Sequence, residues 1–128
     1  MKHTFSYRPI VRGDPLLPVL DIELHGVNGT FTSILDSGAS VSLFPRKLGL
    51  LLGVDYSRRA DNFAECAHGD QIPCWRTEAL VKIMTEEFRI PVFCTNLDNE
   101  PLLGREGFFE RFIITFDEVK KEFILETR

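Results

Sequence analysis

Apolar and polar residues alternate over short runs along most of this chain, with the two-residue period of β-strands that keep one face wet. Val19 to His25 shows it most plainly, with Leu20, Ile22 and Leu24 interleaved with Asp21, Glu23 and His25. Asn28-Gly29 supplies a hairpin turn, and Thr30 to Leu35 forms the return strand. The same reasoning pairs Ala79 to Met84 with Phe88 to Phe93, and Ile113 to Phe116 with Phe123 to Glu126. Phe5 to Ile10 reads as a first strand before the turn-rich Arg12-Gly13-Asp14-Pro15, Val41 to Phe44 continues extended, and Leu102-Leu103 is a short apolar strand. Phe63 to Cys66 and Ile72 to Trp75 flank Ala67-His68-Gly69-Asp70-Gln71 as a further hairpin with a glycine at its tip. Helix signals are few. Pro45 suits the first position of a short helix through Leu52, closed by Gly53, and one or two turns fit Glu106 to Arg111. The chain reads as a mostly β fold.

Length and charge narrow the picture. With 128 residues there is room for one core and not two, and no repeat or linker divides the chain, so residues 1–128 are expected to form one domain. Hydrophobic residues make up 44% without a run long enough to cross a bilayer, so no membrane partner is expected. Acids and bases are interspersed at a net charge of -4, which offers no basic field to a phosphate backbone and argues against nucleic acid. Met1 to Pro9 lacks the apolar core and small-residue cleavage site of a secretory signal, which points to a cytoplasmic location. Without secretion, Asn28-Gly29-Thr30 is a turn and not a glycosylation acceptor. Cys66, Cys74 and Cys94, odd in number and with no CxxC pair, fit packed free thiols in a reducing compartment. With His68 they could offer four soft ligands, but their spacing matches no strong zinc pattern, so neither a metal nor another cofactor is expected.

One stretch carries the chemistry. Ser33-Ile34-Leu35-Asp36-Ser37-Gly38-Ala39-Ser40 places a carboxylate at the end of an apolar strand, followed by a hydroxyl, a glycine and two small residues. Desolvation makes such an acid costly to ionise while nearby donors lower that cost, which is the setting of an acid-base group. Ser37 can hold the turn by bonding backbone, Gly38 lets the chain fold tightly beside the carboxylate, and Ala39 leaves room for another backbone to approach.

A second motif stands well downstream, Pro101-Leu102-Leu103-Gly104-Arg105. In this order and with this gap, Ile34-Leu35-Asp36-Ser37-Gly38-Ala39 and Leu102-Leu103-Gly104-Arg105 resemble the retropepsin-like (retroviral-type) aspartic peptidases, most of all the prokaryotic members. The resemblance runs from about Val19 to Phe116. It implies a closed acid-protease barrel, a single lobe with one or two short helices, in which the Asp36 loop and the Leu102-Leu103 strand cross near the centre. It also implies a homodimer, because one chain carries one such aspartate. Asp36 of each subunit would form the catalytic pair, with Ser37, Gly38 and Ala39 as its support and Leu103, Gly104 and Arg105 as the structural motif. The hairpin at Ala67, His68, Gly69 and Asp70 would be the flap over a peptide or protein substrate.

The chain also departs from the viral pattern. Ser40 stands where viral members carry a second acid that pairs with the arginine, so Arg105 needs another partner. The chain also continues past the helix into a hairpin, which makes Phe5 to Ile10 and Phe123 to Glu126 candidate interface strands. Two further readings compete: a non-proteolytic peptide-binding or dimerisation module on the same fold, and a serine hydrolase centred on Ser37. The latter lacks a GxSxG elbow, and His3, His25 and His68 have no obvious acid beside them in sequence.

Overall fold

The computed structural model describes residues 1–65 and 69–128, with 50% of the chain in strands and 9% in helix. The elements run β1 (Lys2–Ser6), β2 (Val19–Leu24), β3 (Phe31–Leu35), β4 (Ser42–Phe44), α1 (Arg46–Leu51), β5 (Asn62–Glu65), β6 (Gln71–Ile83), β7 (Glu86–Thr95), β8 (Leu102–Leu103), β9 (Phe112–Asp117) and β10 (Glu122–Thr127). Six of them close into a barrel in the order β2-β3-β8-β4-β7-β6, with β6 returning to β2 through Glu23↔Lys82 and Leu24↔Val81. β5 pairs with the first part of β6, and a separate three-stranded sheet runs β1-β10-β9.

The alternation read from the sequence is what fills the barrel. Leu20, Ile22 and Leu24 of β2 are buried while Asp21 and Glu23 face out, and Val81, Ile83, Ile90, Val92 and Leu103 meet them from the opposing strands. Each such side chain contributes roughly 1.5–3 kcal/mol by leaving water. Phe108, Phe112, Phe123 and Leu125 extend the core beneath the three-stranded sheet, where Phe108 and Phe112 lie 5.3 Å apart by ring centroid.

Three expectations change in detail. The first strand spans Lys2–Ser6 and stops short of Pro9, which has no N–H for a ladder; beyond it Tyr7 N–H donates to Lys121 O and Arg8 bridges to Leu17. Ile72 to Trp75 and Ala79 to Met84 are one strand, β6, because β7 pairs along it from Cys74 to Ile83 and carries the polar Arg76-Thr77-Glu78 between them. The helix expected over Glu106 to Arg111 is a single wide turn over Arg105–Phe109, closed by Phe109 N–H to Gly104 O and Glu110 N–H to Arg105 O. Extended Glu106 and Gly107 at φ 83 break the helical path, and a Cβ on Gly107 would also press on Pro91 at 2.8 Å.

Cys94 lies wholly in the core of β7, and burial, with Cys74 nearby, pushes its thiol up to about 12. Only the thiolate is nucleophilic, so the folded protein should alkylate at Cys94 on the order of a thousandfold more slowly than a free thiol. Iodoacetamide labelling followed by peptide mass mapping, with and without denaturant, measures this. Labelling of native Cys94 at the free-thiol rate would contradict its placement.

Candidate active site

The chain builds the site by threading β8 between two strands that are near neighbours in sequence. β3 and β4 flank β8, parallel on one side (Ile34↔Leu102, Leu35↔Leu103) and antiparallel on the other (Leu43↔Leu102). The link from β3 to β4 is the Asp36 loop, so it must cross the end of β8. Asp36 is fixed as it leaves β3, its N–H donating to Leu103 O at 3.0 Å. Ala39 N–H then closes the turn onto Asp36 O at 3.1 Å, and Gly38 N–H donates to the Asp36 carboxylate Oδ1 at 2.9 Å. A Cβ on Gly38 would stand 3.3 Å from that oxygen, so the tight approach expected of this glycine is real.

A second set of bonds holds the far half of the loop. Gly104 N–H donates to the Ser42 hydroxyl at 3.1 Å, Arg105 N–H to Ala39 O at 2.9 Å and Glu106 N–H to Ser40 O at 3.0 Å. Three consecutive amides of the Leu-Leu-Gly-Arg segment and its continuation thus pin the loop from below. Gly104 is the contact point: a Cβ there would lie 2.2 Å from Val41 O and 2.9 Å from Ala39 O. The two motifs are one structural unit.

Asp36 is half-buried and lines a cleft of about 690 Å³. Gly38, Ala39, Ser40, Val41 and Leu43 form one wall, Asn62 to Glu65 of β5 with Cys74 form the opposite one, and Phe93 and Leu102 close it. Asp36 and Glu65 are the charged groups among the described lining residues, and the rest is largely apolar. Apolar groups can leave water in such a trough.

Leu103 is fully buried, and Ser37 and Arg105 are exposed. Among the described residues Arg105 makes no ion pair, and it acts on the loop through its backbone; the neighbouring Glu106 reaches Arg76 of β6 at 3.9 Å. Gly69, at φ 83, and Asp70 lie exposed at the start of β6, while Cys66, Ala67 and His68 fall outside the described residues. β5 and β6 do pair as a hairpin from Asn62↔Cys74 to Glu65↔Gln71. Among the described residues neither Ser37 nor His3 nor His25 lines the cleft, and His25 stands 3.6 Å from Glu87. Reading the sequence missed Ser42, whose hydroxyl is fully buried, and the cleft walls at Val41, Leu43 and Phe93. A serine set between Leu43 and Val41 on a strand otherwise apolar at Phe44 was the one available sign.

Neither a protein-family model nor a curated protein matches the sequence. Among solved structures the chain is similar to a retropepsin-like aspartic protease from Rickettsia conorii, at 21% identity and a TM-score of 0.73 over 98% of each chain. It is also similar to EIAV protease complexed with the inhibitor HBY-793, at 14% identity and 0.57 over 75% of this chain and 88% of that one. The retroviral protease-like domain of Ddi1 from Leishmania major matches at 14% and 0.57 over 80% and 82%. With the barrel, the crossed loop and these neighbours in agreement, the chain has the retropepsin-like aspartic protease fold.

Proposed function

We propose that residues 1–128 act as one aspartic endopeptidase domain that works as a homodimer and cleaves peptide bonds with water activated by paired Asp36 carboxylates. The observation that carries this reading is Asp36 itself, a half-buried carboxylate held on both sides by backbone bonds at the wall of an apolar cleft. One neighbour is named a retropepsin-like aspartic protease and another a protease, and the fold is theirs.

Two carboxylates brought together across a two-fold axis cannot both ionise easily, so they share one proton. The ionised member takes a proton from a water held between them, and that water attacks the peptide carbonyl carbon. The protonated member donates to the carbonyl oxygen, and the resulting tetrahedral intermediate collapses as the amine leaves with a proton. Ser37 braces the paired loops, Gly38 and Ala39 keep the loop narrow, and the β5–β6 hairpin with Ala67, His68, Gly69 and Asp70 serves as the flap. The substrate lies in the cleft as an added strand, with side chains in the apolar wall. Water and the two carboxylates supply all the chemistry.

Incubation with a mixed peptide library from acid to neutral pH, at a series of protein concentrations, tests the proposal. Cleavage whose specific rate falls on dilution, and which a pepstatin-like inhibitor blocks, is the expected result. A folded dimer that binds library peptides but cleaves none at any pH would mark a peptide-binding module instead.

A further inference from the structure

The two long walls of the cleft differ in chemistry. Val41, Leu43, Phe93 and Leu102 make it apolar, whereas β5, the last strand of the seven-stranded sheet, brings Phe63 and Glu65 into it. Two positions apart on one strand, these side chains leave the same face, roughly 7 Å from each other along the backbone. Phe63 is 58% exposed, and Glu65 is exposed as well. Among the described residues the Phe63 ring stacks on no other ring and no cation lies over it. Glu65 likewise makes no ion pair among the described residues.

A carboxylate and the open face of an aromatic ring attract the same kind of group. The face of the ring draws a cation, a guanidinium above all, and the carboxylate pairs with it. The rest of the cleft agrees in sign. Asp36 and Glu65 are the charged groups among its described lining residues, so an entering cation meets no like charge while an acidic side chain meets two. Arg59 lines a separate groove that shares Phe63 with the cleft, and there Asp61 lies with it.

Resting on the peptidase reading above, we propose that Phe63 and Glu65 form a specificity subsite for a cationic side chain, so that the preferred substrate is an apolar peptide segment carrying one arginine or lysine. The stem of either residue is apolar and lies along Phe63 while the charged head reaches Glu65. Arginine is favoured over lysine, because its planar guanidinium stacks on the ring and presents a fork to the carboxylate. The subsite acts on binding and leaves the water-activating step to Asp36, so it shows in KM more than in kcat.

Fluorescence anisotropy with four labelled peptide pools tests the subsite. The pools share randomised apolar flanks and differ in one central residue, arginine, lysine, glutamine or glutamate. The native chain should bind the arginine pool about fivefold more tightly than the glutamine pool, the gain expected of a partly exposed ion pair joined to a cation–π contact. The lysine pool should fall between them and the glutamate pool should bind most weakly. Glu65→Gln should bring the arginine and glutamine pools to within about twofold. Glu65→Lys should reverse the order in favour of glutamate, which a merely structural role for Glu65 would not produce. Phe63→Leu should level arginine with lysine. Asp98→Lys makes the same change of net charge on an exposed loop residue outside the cleft and should keep the native order. A native chain that binds the arginine pool no better than the glutamine pool, an unchanged order in Glu65→Lys, or an arginine advantage over lysine that persists in Phe63→Leu would overturn the subsite. Mass spectrometry of the same mixtures reads cleavage separately. Pools bound in the expected order but left intact would sink the peptidase reading and keep the subsite, and cleavage without charge preference would do the reverse.

Discussion

Asp36→Asn is expected to lower peptide cleavage by at least about a thousandfold while leaving the fold unchanged. In the proposed homodimer the substitution would fall twice and would remove both the base assigned to the water proton and the acid assigned to the carbonyl oxygen. Each such role contributes about 10²–10⁴-fold. The fold tolerates the change because the folded-state bond to Asp36 Oδ1 comes from Gly38 N–H, and an amide oxygen accepts that bond equally well. Stability should stay within about 0.5 kcal/mol of native. Measuring kcat/KM and the melting temperature side by side separates the two effects. The variant should also poison native chain when mixed in excess, since a hybrid dimer has one carboxylate and no shared proton. Cleavage that persists in a well-folded Asp36→Asn protein would remove this residue from the mechanism.

The parts of the fold that were legible in sequence are those where one face of an element decides its fate. β2 shows this best, because Leu20, Ile22 and Leu24 alternate with Asp21 and Glu23 and the strand is buried in that pattern. The Asp36 loop was legible for a different reason: Gly38 and Gly104 are small because backbone or carboxylate lies against them, and such constraints survive in the residue type. What could not be read depends on neighbours remote in sequence. Arg76, Thr77 and Glu78 look like a break, yet they stay in strand because Phe93, Val92 and Pro91 of β7 pair with them. Glu106 to Arg111 has the composition of a helix start, but Glu106 N–H is drawn off to Ser40 and Gly107 turns left-handed, so only a wide turn remains. The cleft walls were hidden likewise, since Phe93 and Cys74 reach the site only through barrel closure.

Gly104→Ala should be the most damaging single methyl addition in the site. Gly104 has φ -106 and ψ -171, extended backbone that alanine adopts freely, so conformational strain is not the cause. Space is the cause, because the new Cβ would meet Val41 O at 2.2 Å, Val41 C at 2.5 Å and Ala39 O at 2.9 Å. These are backbone atoms and cannot rotate aside as a side chain would. Relief requires β8 to separate from the Asp36 loop, which breaks the bonds from Gly104 N–H to Ser42 and from Arg105 N–H to Ala39. Overpacking against mobile side chains costs about 1–3 kcal/mol, and against fixed backbone the upper end is the expected minimum. For a chain of this length that lowers the melting temperature by roughly 10 °C. Ser42→Ala gives the internal comparison, since it leaves one buried N–H without its acceptor and should cost about 1–3 kcal/mol without forcing the strands apart. Activity should then fall with stability in Gly104→Ala and be largely kept in Ser42→Ala assayed below its melting point. A native melting temperature for Gly104→Ala would mean that β8 and the loop do not pack as closely as their backbone bonds indicate.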